Sequence, residues 1–99
     1  MAKDLNVFDK EYGLLINGAW TKPGALLDSY NPANGEALAK FTDATDADVD
    51  AAVAAAQEAF KTWRKTTTTE RAAILNKIAD VIDENLELFA LQETLDNGK

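Results

Sequence analysis

Between Leu86 and Leu95 the chain carries apolar residues on two opposite sides of a helix. At about 100° per residue, Leu86, Phe89 and Ala90 point one way, while Leu88, Leu91 and Leu95 point nearly the other. A helix apolar on both sides must be covered on both sides. The elements readable ahead of this stretch, two helices and a few short strands, can cover one of them. The second face therefore predicts cover from chain beyond Lys99 or from another subunit.

The two preceding helices are one-sided. Thr45 reads as an N-cap, with Asp46, Asp48 and Asp50 placed where carboxylates complement the partial positive charge of a helix start. From there Val49, Ala52, Val53, Ala56, Ala59, Phe60 and Trp63 fall in one arc of roughly 120°, which predicts a helix with one buried face. Asp50, Gln57, Glu58 and Lys61 lie on the other side. In the threonine run Thr66 to Thr69, Thr67 followed by Glu70 is a capping box, so a second helix starts there. Its apolar residues Ile74, Leu75, Ile78, Val81 and Ile82 again share roughly 120° of arc.

The first half reads as strands and turns. Residues 1 to 12 are mixed and polar and read as a flexible lead-in. Leu14-Leu15-Ile16 is a short strand, Asn17-Gly18 a hairpin turn with positive φ at both central positions, and Ala19-Trp20-Thr21 the return strand. Lys22-Pro23-Gly24 breaks it. Leu26 to Tyr30 is a further strand, Asn31-Pro32-Ala33-Asn34-Gly35 a turn, and Glu36 to Phe41 another strand. Residues 13 to 42 thus form a hairpin-and-strand part and residues 45 to 99 a helical part. Trp20 and Trp63 occupy core positions of their elements.

Composition narrows the chemistry. The 99 residues hold 17 Asp and Glu against 10 Lys and Arg, a net charge of −7. Such a balance argues against nucleic acid or an anionic membrane as partner. There is no Cys and no His, so no thiol nucleophile, no disulfide framework and no imidazole base or ligand. No apolar run approaches the roughly 20 residues of a membrane span, and the start lacks the apolar stretch of a signal peptide, which makes the cytoplasm the expected location.

Local motifs for chemistry fail on inspection. Asp46-Ala47-Asp48-Val49-Asp50 resembles the opening of a calcium loop, but Ala51 stands where the loop needs Gly and Gln57 where it needs a bidentate Glu. Asp28-Ser29 is followed, after Tyr30, by a strand-ending Asn31-Pro32 and does not suit a carrier-protein serine. The glycines at 13, 18, 24, 35 and 98 do not cluster into a phosphate loop. Asp80, Asp83 and Glu84 lie on the polar side of a helix with nothing to desolvate them.

Five pieces taken in order carry a resemblance. They are Leu14-Leu15-Ile16-Asn17-Gly18-Ala19-Trp20, Asn31-Pro32-Ala33-Asn34-Gly35-Glu36, Val49 through Trp63, Glu70 through Asn85, and Glu93-Thr94-Leu95-Asp96-Asn97-Gly98-Lys99. Together they resemble the beginning of an aldehyde dehydrogenase. The likeness implies an α/β parent fold whose first residues are a hairpin-and-strand lead-in followed by two to three amphipathic helices of the cofactor-binding domain. Residues 45 to 99 would then be the helical part of an incomplete cofactor-binding domain, packed on a sheet encoded later.

The resemblance also implies an activity for the parent. Enzymes of this family oxidise an aldehyde to a carboxylic acid with NAD or NADP. A cysteine thiolate attacks the carbonyl, an asparagine amide and a backbone N–H hold the oxyanion, and a glutamate activates the hydrolytic water. The family's catalytic and cofactor-contacting residues are expected beyond Lys99, so neither catalytic nor cofactor-binding residues are assigned within the chain. One family feature carries over. Many members hold a structural monovalent cation on two backbone carbonyls before the Asn-Pro turn and on the aspartate of Leu-Asp-Asn-Gly-Lys, which here are Ser29, Tyr30 and Asp96, with a further ligand from downstream. The competing reading has Asp96 cap the Asn97-Gly98 turn.

The expected partners are the remainder of the parent chain and further copies in a homo-oligomer, with no cofactor bound by the segment itself. Glu70 to Leu75 and Asn85 to Leu88 look most like bacterial enzymes acting on short aliphatic aldehydes. A rival reading is a stand-alone α+β interaction protein that self-associates through the Leu88, Leu91 and Leu95 face.

Overall fold

A computed structural model describes residue 8 and residues 10 to 98. The lead-in reading of residues 1 to 12 lies largely outside these residues. Its last two do not: Glu11–Tyr12 forms β1, a two-residue strand.

The hairpin follows the sequence expectation. Leu15–Ile16 (β2) pairs antiparallel with Ala19–Trp20 (β3), with Leu15 opposite Trp20. Asn17 and Gly18 turn the chain with φ of 53° and 74°, the doubly positive pair that a type I′ turn requires. Beyond the strands, the Thr21 N–H donates to the Leu14 carbonyl and the Leu14 N–H to the Thr21 hydroxyl, each at 2.8 Å.

Leu26–Tyr30 (β4) and Ala37–Thr42 (β5) pair antiparallel, with Asp28 opposite Lys40. The turn between them is closed by Asn31. Its side-chain oxygen accepts from the Ala33 N–H (2.9 Å) and its carbonyl accepts from the Gly35 N–H (2.7 Å). Gly35 takes φ 75°, the left-handed position. β1 joins this sheet in parallel on the other side of β5, giving the order β1-β5-β4.

Three helices follow. Thr45 caps α1 (Asp46–Trp63) through a reciprocal pair: its hydroxyl accepts from the Asp48 N–H (3.2 Å), and its own N–H donates to the Asp48 carboxylate (2.9 Å). Thr67 and Glu70 form the same box at α2 (Thr68–Glu84), at 3.1 and 2.9 Å. Asn85 breaks the helix, its N–H turned to the Ile82 carbonyl and its amide nitrogen to that of Val81. α3 (Leu86–Asn97) ends on Gly98, left-handed at φ 78°.

The α1–α2 corner is clasped by Arg71. Its guanidinium lies 5.3 Å from the Trp63 ring centroid and donates to the Thr66 hydroxyl (2.8 Å) and the Trp63 carbonyl (3.1 Å).

The expected buried faces are aligned but not covered. Among the described residues no hydrophobic side chain is buried, and the two buried residues are polar, Asn31 and Thr42. Trp20 is 65% exposed and Trp63 43% exposed, which corrects their assignment to a core. The reason is geometric: β3 lies in a two-stranded ribbon with the Tyr12 ring tilted beside Trp20 at 6.5 Å, and Trp63 ends α1 with the Arg71 group across its ring. The apolar arc of α1 is likewise open apart from its first turns, where Val49, Ala52 and Val53 share a cleft with Leu14, Leu15 and Ile16.

The whole chain shows this lack of cover. It exposes 7906 Å², whereas a self-contained protein of this mass exposes about 5500 Å². Its radius of gyration is 16.8 Å, against about 13 Å for a compact domain of 100 residues.

Candidate functional site

Strand alternation decides where the three implied cation-site residues point. Successive side chains of β4 leave opposite faces of the sheet. Asp28 and Tyr30 share one face, and the Tyr30 hydroxyl donates to the Asp28 carboxylate at 3.3 Å. Ser29 leaves the other face, and its hydroxyl donates to the Asp96 carboxylate at 2.9 Å. The structure therefore brings together two of the three residues, Ser29 and Asp96, across 67 positions of sequence. The Tyr30 side chain is not part of that pair. The pairing of β4 with β5 shifts register between Ser29 and Tyr30, at the two residues whose carbonyls the resemblance singles out.

Asp96 sits where α3 returns to the strand-to-strand turn. One and two turns of helix earlier, Gln92, Glu93 and Phe89 face the sheet, and with Tyr12, Ser29 and Leu38 they line a cleft of about 350 Å³. The helix end is held close to the turn. A side chain in place of the Gly98 hydrogen would meet Pro32 Cγ at 2.8 Å, so the approach needs glycine as well as the positive φ. Where the competing reading has Asp96 cap the Asn97-Gly98 turn, its side chain accepts from Ser29. The Gly98 N–H instead closes the helix by donating to the Thr94 carbonyl at 3.0 Å.

On the opposite face, Lys40 reaches across from β5 to Asp28 at 3.0 Å. The hydrogen bond from Lys40 holds the Asp28 carboxyl below the usual aspartate value, with desolvation opposing it and the lysine's charge adding to it. The same bond raises Lys40 above the usual lysine value. The sequence reading missed this pair. Residues on neighbouring strands carry no local signal until the register is known.

The donor set around Asp96 is all oxygen, the kind that suits an alkali or other hard cation rather than a transition metal. Among the described residues no group of three or more carboxylates converges on a point. A dinucleotide is poorly suited to these residues: Gly13, Gly18, Gly24, Gly35 and Gly98 are scattered, and no described loop gathers them into a phosphate cradle. No helix among the described residues is long and apolar enough to cross a membrane.

Comparison with known proteins fits this arrangement of strands, turn and three helices. The aldehyde dehydrogenase family model matches residues 20–99. Acetaldehyde dehydrogenase 2 of Cupriavidus necator is 44% identical over 96 residues, covering 95% of this chain and 19% of that protein. A solved variant of the Bacillus cereus aldehyde dehydrogenase superposes with a TM-score of 0.83 at 43% identity, over 90% of this chain and 19% of that one. The NAD+ complex of the Bacillus cereus enzyme superposes with a TM-score of 0.80 at 41% identity, over 87% of this chain and 18% of that one. The 99 residues thus span about a fifth of the length of the relatives they match, and their strands and helices are those of an α/β dehydrogenase segment. With the matched region running from the hairpin's Trp20 through all three helices to Lys99, the chain belongs to the aldehyde dehydrogenase family.

Proposed function

We propose that the chain is the N-terminal segment of an NAD(P)-dependent aldehyde dehydrogenase that oxidises a short aliphatic aldehyde to its carboxylic acid, and that these 99 residues alone do not turn over aldehyde. The observation that carries the reading is the family match from residue 20 to 99 on a chain whose helices present aligned but uncovered apolar faces. The relative named for acetaldehyde supports a short substrate, and the NAD+ complex of a structural neighbour supports the dinucleotide. With no Cys in the sequence, the thiolate step falls to a residue outside it. The segment's own part is structural: α1 to α3 supply one layer against the cofactor-binding sheet. A cytoplasmic, homo-oligomeric parent goes with this reading.

Ser29, Tyr30 and Asp96 belong to the same proposal as part of a structural monovalent-cation site completed from elsewhere. The Ser29–Asp96 bond and the register shift at Ser29 and Tyr30 support it.

The test is complementation. The chain is co-expressed with the Cupriavidus necator relative lacking its own matching segment, and aldehyde-dependent NADH formation is followed. Activity is expected from the pair and from neither part alone. Turnover by the 99-residue chain that survives a thiol reagent would sink the proposal. The second reading, a self-associating α+β protein, is favoured by one observation, the large exposed surface, and is tested by the state of association in solution.

A further inference from the structure

Asn-Gly occurs three times, at Asn17-Gly18, Asn34-Gly35 and Asn97-Gly98. Such a pair can react with itself. The nitrogen of a glycine, unhindered by a Cβ, can reach the side-chain carbonyl carbon of the asparagine before it and close a five-membered ring. All six residues are exposed, so access to water does not choose among the three pairs. Hydrogen bonding does.

At Asn34 both reacting groups are tied. The Gly35 N–H donates to the Asn31 carbonyl at 2.7 Å. The Asn34 side-chain oxygen accepts from the Glu36 N–H at 2.9 Å, and its amide donates to the Glu36 carboxylate at 3.4 Å. At Asn97 the Gly98 N–H donates to the Thr94 carbonyl at 3.0 Å, and the Asn97 amide donates to the Glu93 carboxylate. Asn97 is also the last residue of α3, and Gly98 lies close against Pro32. In the hairpin neither the Asn17 side chain nor the Gly18 N–H is hydrogen-bonded among the described residues.

From this difference we propose that Asn17-Gly18 is a site of spontaneous modification by water, while Asn34 and Asn97 are held unreactive by their bonds. The hairpin turn supplies the geometry. Ring closure needs the asparagine ψ at about −120°, the value at the first central residue of a type II′ turn. Asn17 already has the positive φ that both primed turns share, at 53°. Turning over the single peptide between Asn17 and Gly18 converts I′ to II′ and gives up no hydrogen bond among the described residues. The Gly18 nitrogen then bonds to Asn17 Cγ and loses its proton, and the Cγ–Nδ2 bond breaks to release ammonia. Water opens the resulting succinimide at either carbonyl. Cleavage of the new bond leaves aspartate. Cleavage of the original peptide bond leaves isoaspartate, with a methylene added to the backbone. Nothing is oxidised or reduced. Either product adds one negative charge to the net −7. Isoaspartate also breaks the two-residue spacing that sets Leu15 opposite Trp20. The reaction consumes only water and is the same whether or not the chain is part of a dehydrogenase.

Peptide mapping by mass spectrometry tests the proposal on the 99-residue chain, held folded at mildly alkaline pH. Asn17 is expected to convert at least roughly tenfold faster than Asn34 or Asn97, because each of those must first break two or more hydrogen bonds. In denaturant those bonds are lost, and the lead of Asn17 is expected to vanish. Equal rates in the folded chain, faster conversion at Asn34 or Asn97, or a lead of Asn17 that persists in denaturant would each overturn the proposal.

Discussion

The strand region and the helical region hold their shapes by different means. In the β1-β5-β4 sheet the ties are polar and close on themselves. Thr42, one of the two buried residues among those described, donates its hydroxyl to the Tyr12 carbonyl (2.7 Å) and accepts from the Gly24 N–H (3.2 Å). One side chain thereby joins three segments. α1 and α2 open on complete capping boxes, yet no residue of the three helices is buried. Capping needs partners three residues away. Covering a helix face needs distant chain, and the described residues do not supply it.

That contrast breaks first, if it breaks, at Thr42. Thr42→Val keeps the shape and strands two backbone partners, a loss of about 2 kcal/mol. Amide exchange at Gly24 should accelerate roughly thirty-fold while the α1 and α2 amides keep their rates. Equal acceleration in the helices would show that the two regions unfold as one unit. Thr67→Ala probes the other side. Loss of the capping hydroxyl costs about 1 kcal/mol, read as lower helical circular dichroism and faster exchange in the first turn of α2, with strand amides unchanged.

The smallest effect comes from the exposed Asp28–Lys40 pair. Asp28 is held below its ordinary pKa, so its contribution is full above that ordinary value and fades as pH falls through the lowered one. Lys40 is raised, so its contribution is full below the ordinary lysine value and is lost as pH climbs through the raised one. A Lys40→Ala variant should flatten both limbs of the stability-versus-pH curve. A curve unchanged by the substitution would show that the solvated pair contributes nothing measurable.

What could be read ahead of the structure follows the range of each interaction. The Asn17-Gly18 turn, the Asn31 turn and both threonine caps were legible because turns and caps are settled within a few residues. At Thr45 the box closes on an aspartate, a partner the Ser/Thr-x-x-Glu pattern does not include. The parallel pairing of β1 with β5 was not legible, since a two-residue strand has no period to read. Nor was the Trp63–Arg71 clasp. Its one available signal was an aromatic at the end of one helix and an arginine just past the start of the next. The Ser29–Asp96 meeting came from family likeness alone, and nothing local to either residue announces it. The tryptophans misled because an amphipathic arc reports which side wants cover and not whether cover is present.

The lack of a buried apolar side chain among the described residues also has a calorimetric signature. Unfolding newly wets less hydrocarbon than in a self-contained domain, so the heat-capacity increment should fall short of the roughly 1.2–1.5 kcal/mol/K usual for 100 residues, and the melt should be shallow.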